Sequence, residues 1–580
     1  MRINMSRIKV LVMVTLIIII SIGIYRKAAF NSKPVIDPEG QLTLHTSEFP
    51  KSFNSFVNNS ADASAVFNLV YETLLDMDYN TLEYQPLIAE SWTISPDKKE
   101  FIFKLNPEAK WSDGEPITAA DVKFTYDTIM DPKNLTSVLR LFYNRLNPPE
   151  IIDDHTVKMT VKTVHFKNFE MVAGFNVLPK HLMEGKDFNK DFNMSLPGGS
   201  GPYELTEVKE GRYYVLTRKQ NYWADQLPHR YQTYNFGKIR YKVMDRNMAF
   251  EAFKKGEFDI YDEIMPKRWV TETDTEHFQK NWIVKQKIYN YAPRGFWGLA
   301  MNMRKPLFQD IRVRKALSLL LDRETIINKI YFDMYQPLSS YWPSLYGPNE
   351  KRPPALGYDL NQARDLLKEA GYDRLDSSGY LIGRNGKPLE LTIIYAIEDY
   401  EKDLTIFKEN CKEAGVKVNL KRLSWATLIK EMDHYNFDMV RIGWTGTLFP
   451  DPEQLWHSKH RAELGGSNLP GFNNEQIDNY IESLPANFDP QSRIQILKQM
   501  DQIVAREFPY VLLWEKDFSW LFYKNIFGKP KTVSQKYTLG AIKYWWIDPV
   551  KAKKYQEAVE QKKPLPAEPE EIRYDEMVQK

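Results

Sequence analysis

The chain has 580 residues, 43% of them hydrophobic, enough for a sizeable core and long enough for three or four domains or fewer large lobes. Its 78 lysines and arginines against 76 aspartates and glutamates leave no basic field, which removes nucleic acid as a default partner. A single cysteine, Cys411, excludes an intramolecular disulfide, a cysteine-based metal cage and lipid attachment at an N-terminal cysteine.

Arg2, Arg7 and Lys9 precede an apolar run from Val10 to Tyr25, after which Arg26 and Lys27 restore charge. As a helix that run spans about 24 Å, short of the roughly 30 Å hydrocarbon layer and slightly long for an export-signal core. Ala28-Ala29 offers no clean small-x-small cleavage site, so an uncleaved membrane anchor is expected. The basic residues ahead of the run keep the N-terminus in the cytoplasm and put the remainder outside the inner membrane.

Residues 28–40, with Pro34, Pro38 and Gly40, read as a linker. Leu42 to Thr46 is a strand candidate, and Asp62 to Leu75 a helix with Val66, Leu69, Val70 and Leu74 at helical spacing. Phe101, Phe103 and Leu105 alternate with Ile102 and Lys104, as in a strand with one buried face. Ser95-Pro96-Asp97 and Ser112-Asp113-Gly114 are turns, and Thr118 caps a helix whose third residue is Asp121.

That stretch also carries a resemblance. Pro86-Leu87-Ile88-Ala89-Glu90-Ser91-Trp92, followed by Lys110-Trp111-Ser112-Asp113-Gly114-Glu115-Pro116-Ile117-Thr118-Ala119-Ala120-Asp121-Val122, resembles the family 5 extracellular solute-binding proteins of peptide and nickel ABC importers. Tyr71 to Leu75 resembles the same family's early helix. The resemblance implies an α/β, two-lobed periplasmic binding protein of type II, cluster C-like, with mixed sheets, a hinge and an extra subdomain in lobe one. It divides the chain into an export signal or anchor (1–27), a linker (28–40), lobe I (41–295), lobe II (296–515), a return to lobe I (516–550) and a charged tail (551–580).

Further along, Thr156 to Val161 alternates as a strand, and Gly199-Ser200-Gly201 is a turn; without a following Lys-Ser/Thr pair it is no phosphate cradle. Pro306 to Arg323 continues the resemblance. Its helix buries Val313, Ala316, Leu317 and Leu320, leaving Arg312 and Arg314 off that stripe for solvent or an inter-lobe ion pair. Asn361 to Ala370 is a helix closed by Gly371. Leu389 to Tyr395, the helix from Asp403 to Ala414, and Val416 to Leu420 alternate as strand, helix, strand, which points to parallel strands. Cys411 falls on the apolar side of that helix, as a small core residue. Phe437 to Trp444 is a strand, Asp489 to Arg506 a helix with Pro490 at its first position, and Phe508 to Trp514 a strand. From Lys551 the charge and Pro564, Pro566 and Pro569 predict an extended or partly disordered tail.

No H-E-x-x-H, G-x-S-x-G or Walker sequence is present, and Ser95-Pro96-Asp97-Lys98 fits S-x-x-K without companion motifs, so no enzyme and no cofactor is expected. His457 and His460, near Asp451 and Glu453, are more often solvated than metal ligands, and no metal is expected. The ligand-binding candidates are Arg441, Trp444, Thr445, Gly446, Thr447, Asp451, Tyr395 and Asn302. The resemblance makes the Trp444 segment the lining of the inter-lobe cleft. In the family's peptide binders an Asp three positions after that Trp holds the ligand's amino group; here the position is Thr447, which cannot balance an ammonium, and Asp451 is the substitute on offer. Arg441, in an otherwise apolar strand, either pairs internally or meets a peptide's carboxylate. Gly465 to Phe472, with Asp478 and Ile481, is similar to the YejA subgroup. The expected role is a periplasmic, possibly membrane-tethered monomer that delivers oligopeptides or peptide-like molecules to an ABC permease and ATPase. The alternatives are a receptor for a nickel chelate, haem or oligosaccharide, and a sensor without a transport partner.

Overall fold

A computed structural model describes residues 37–58, 60–262, 264–347, 350–384 and 386–579. The expected N-terminal export signal or anchor lies outside them. Among the described residues no helix is long and apolar enough to cross a membrane.

The architecture is α/β and two-lobed, and the buried side chains fall into sets that divide along the sequence. Core residues between Leu42 and Ile288 pack with Leu521 to Ile572, while those from Phe296 to Trp514 form two further clusters. The chain therefore crosses between the cores twice, between Tyr289 and Phe296 and between Trp514 and Ser519.

In the first part, strand Asp37–Thr46 lies parallel to Phe236–Val243, which continues antiparallel to Tyr213–Arg218 and Tyr203–Lys209. A second sheet orders Ala89–Ile94, Glu100–Leu105, Thr156–Thr160 and Glu150–Asp153. Phe101, Phe103 and Leu105 are buried, as their alternation predicts. Gly114 has φ +93°, a dihedral that explains a glycine at this turn. The Thr118 N–H donates to Asp121 Oδ2 at 2.8 Å, and Asp121 Oδ1 accepts from the Lys180 N–H at 2.9 Å, so the cap also anchors a distant segment.

The second part is built on a five-stranded mixed sheet in the order Lys417–Arg422, Glu390–Tyr395, Met439–Trp444, Phe296–Met301, Tyr510–Leu512. The first three strands are parallel and the last two antiparallel to their neighbours. Helix Glu401–Glu413 covers one face and buries Leu404, Phe407 and Cys411, whose thiol burial pushes up.

Four expectations are corrected. Asp37–Gly40 belong to the first strand rather than to a linker, because Asp37 pairs with Phe236 across a bulge. The helix expected to reach Leu75 is Ala61–Val70: Tyr71 turns extended, and Leu74 and Leu75 reach the same core from extended chain. Arg314 is neither solvated nor inter-lobe; it is 2% exposed and donates to the carbonyls of Glu507 and Phe308, both at 2.8 Å, while Arg312 pairs with Asp310 at 2.6 Å. The chain beyond Lys551 is ordered into helix Pro549–Glu560, strand Glu571–Arg573 and helix Tyr574–Gln579. That strand lies parallel to Ile283–Tyr289, with Ile572 buried, and Glu568 forms ion pairs with both Lys529 and Lys551. Composition weighs the charges of a tail without seeing their partners.

Candidate functional site

Strand Met439–Trp444 is the third of five, so both its edges are paired, and its alternation sends Trp444 and Arg441 to opposite faces. Trp444 Nε1 donates to the Tyr510 hydroxyl at 3.0 Å, fixing the indole against the neighbouring strands. The chain then leaves the sheet at Thr445, and two glycines let it lie against the crossover segment. A Cβ on Gly446 would stand 2.5 Å from the Arg294 backbone, and one on Gly295 would stand 1.6 Å from the Trp444 carbonyl oxygen.

A pocket of about 150 Å³ opens there, lined by Trp444 to Leu448 and Asp451, with Tyr291, Tyr341 and Trp342 around it and Tyr537 from the far side of the crossover. The structure thus brings Trp444, Thr445, Gly446, Thr447 and Asp451 together. It does not bring the other three. Tyr395 is 2% exposed in the core of the five-stranded sheet. Asn302 is enclosed and donates to the carbonyls of Tyr435 at 2.9 Å and Phe437 at 3.1 Å, bracing a turn. Arg441 faces a second pocket.

That second pocket, about 290 Å³, has an aromatic wall of Trp297, Tyr331, Tyr335, Tyr400 and Trp514, with Arg246 and Met265 reaching it from the first part of the chain. Arg441 Nη1 lies 2.6 Å from Asp403 Oδ2, and its guanidinium stacks 3.7 Å from the Tyr400 ring centroid. Asp403 Oδ2 also accepts from the Tyr331 hydroxyl at 2.9 Å. Glu515 pairs with Arg352 at 2.5 Å, and burial raises its carboxyl above the usual range. Lys516 completes the wall; burial pushes its ammonium down to about 8. Sequence reasoning missed Glu515 and Lys516. The available signal was two charges set directly after the apolar run that ends at Trp514.

Asp451 has a partner from the first part of the chain. His165 Nε2 lies 3.6 Å from Asp451 Oδ2, and Glu453 stands close enough that the three offer metal-ligand atoms within 4.8 Å of one another. The Lys167 N–H donates to His165 Nδ1 at 3.1 Å, which leaves the proton of a neutral ring on Nε2, facing Asp451. A ligating histidine donates through its other nitrogen, so this arrangement suits an electrostatic contact with Asp451 better than a metal. Of the histidines weighed from sequence, His457 faces Asp478 at 3.2 Å and His460 faces Glu463 at 2.5 Å.

The profile of the bacterial extracellular solute-binding proteins, family 5 Middle, matches residues 83–465. A putative binding protein of Brucella melitensis is 29% identical over 564 residues, covering 89% of this chain and 90% of the relative. A probable peptide-binding protein YejA of Agrobacterium fabrum is 23% identical over 553 residues, covering 87% and 89%. Among solved structures, the oligopeptide-binding protein AppA of Bacillus subtilis, in complex with a nonapeptide, superposes with a TM-score of 0.71 at 22% identity, covering 88% of this chain and 99% of that one.

Proposed function

Because the chain belongs to the bacterial extracellular solute-binding proteins of family 5, we propose that it captures oligopeptides or peptide-like molecules in the cleft between its lobes and delivers them to an ABC permease and ATPase. The observation that carries this reading is the aromatic pocket assembled from both parts of the chain, Arg246 and Met265 on one side and Trp297, Tyr400 and Trp514 on the other. A pocket shared by two lobes gains contacts only when they close, so a ligand there shifts the population toward the closed form. The crossover segments near 290–303 and 512–530 would serve as the hinge. A cleft walled by aromatic rings suits ligands held by shape and backbone contacts, with broad tolerance of side chains.

The chain works in a periplasm, as a monomer, in this reading. The relative named as a probable peptide-binding protein favours peptides over nickel chelates, haem or sugars. Mass spectrometry of what co-purifies from the native host, followed by calorimetry with peptides of three to five residues, tests the proposal. Peptide masses and measurable heats are expected; absence of heat and of thermal shift across the whole series would overturn it.

A further inference from the structure

Arg246, Arg441 and Lys516 line the aromatic pocket and Arg352 borders it, and two of these cations are engaged with carboxylates in a way that decides what the pocket offers a ligand. Arg441 is neutralised by Asp403, and Arg352 by Glu515. Lys516 differs. It stands where the chain crosses back, and its Nζ lies 4.2 Å from the centroid of the Trp520 ring and 5.9 Å from that of Phe518. Among the described residues it makes no ion pair. Asp262 acts on it electrostatically without closing to a salt bridge, and Asp517, beside it in sequence, is exposed.

An ammonium over an indole face is stabilised by the ring quadrupole, but that attraction only partly replaces lost hydration. Lys516 therefore retains electrostatic capacity that Arg441 has spent on Asp403. We propose that Lys516 receives a carboxylate of the ligand against the aromatic wall of the second pocket, and that Arg441 holds that wall in place through Asp403 and Tyr400. The ligand class is then a peptide or peptide-like acid with a free carboxylate. This inference rests on the peptide-binding reading above. The depression of the Lys516 ammonium to about 8 by burial fits a cation short of a partner, and it leaves the group charged at neutral pH.

The test uses the full chain and an N-acetylated alanine series of three to five residues, each as the free acid and as the C-terminal amide, measured by calorimetry at neutral pH. The two forms differ only in the carboxylate. For the wild type the acid is expected to bind at least about tenfold more tightly than the amide, the scale of a hydrogen bond to a charged group. In Lys516→Met the ratio is expected to collapse to about one, and in Lys516→Arg to survive; melting curves of both variants establish that they fold. Equal binding of acid and amide by the wild type overturns this inference alone, as does a preference that persists in Lys516→Met. Silence from every member of the series overturns the peptide reading itself and this inference with it.

Discussion

Arg441 Nη1 lies 2.6 Å from Asp403 Oδ2, tying strand Met439–Trp444 to helix Glu401–Glu413 with both side chains almost fully enclosed. Burial raises the Asp403 carboxyl, and the guanidinium pulls it part of the way back. Removing one partner strands the other charge in a dry site. Asp403→Asn is therefore expected to destabilise the fold by about 3–5 kcal/mol, read from the urea midpoint. The double replacement Asp403→Leu with Arg441→Met should recover most of that, since no charge is left to solvate. A single variant within about 1 kcal/mol of wild type, the range of an exposed pair, would show that water reaches the site.

The same pair shows how far the sequence carries. Local patterns are legible: the alternation at Phe101 to Leu105, the Thr118–Asp121 cap, the Gly371 helix end with its φ of +94°, and Pro490 at a helix start all appear as read. These depend on neighbours within a few residues. What cannot be read are partners far along the chain. Arg441 finds Asp403 38 residues away, Asn302 finds Tyr435 133 away, and Arg314 finds Glu507 193 away. The Trp444 to Asp451 cluster was visible because it is one continuous segment, whereas the second pocket draws one to three residues from each of seven separate stretches.

His165 supplies a pH test of the contact between the two parts of the chain. An unfolded histidine titrates near 6.5, and burial pulls His165 down to about 4, with Arg145 and Lys167 helping and Asp451 and Glu453 opposing. Between those values the unfolded chain binds a proton that the folded chain refuses. The contribution is complete above about pH 6.5 and is lost as pH falls toward 4. His165→Asn should then lose less melting temperature than wild type between about pH 7 and about pH 4.5. Parallel curves for the two proteins would place the acid sensitivity elsewhere.

The C-terminal segment is expected to be structural. Glu568 accepts from Lys529, from Lys551 at 3.0 Å and from the Tyr523 hydroxyl at 3.2 Å, and the Lys529 side chain is only 8% exposed. Glu568→Gln leaves that ammonium without a counter-charge and should cost about 2–4 kcal/mol in chemical unfolding. Truncation before Lys563 should cost more, because it also uncovers Ile288 and Trp282, which the segment overlies through Ile572 and the Lys563 carbonyl. A truncated protein that melts with the full chain would refute this role.

Gly295, immediately before strand Phe296–Met301, and Gly443, on the strand paired with it, lie beside the cleft yet predict different outcomes on gaining a methyl group. Neither has a positive φ, so the constraint is space rather than backbone conformation. On Gly295 the new Cβ would stand 1.6 Å from the carbonyl oxygen of Trp444, a backbone atom held by the pairing of Phe296 with Trp444. Relief requires the strands to part, so Gly295→Ala should cost about 3 kcal/mol or more. On Gly443 the Cβ would stand 2.2 Å from Cε3 of Trp297, a side chain that is 45% exposed and free to swing into the second pocket. Gly443→Ala should fold with a loss below about 1.5 kcal/mol. Its tryptophan emission should shift, and the alanine peptides should bind more weakly because the displaced indole takes up their space. Equal stability losses in the two variants would mean that Trp297 is as fixed as the backbone, and that the aromatic wall does not rearrange around a ligand.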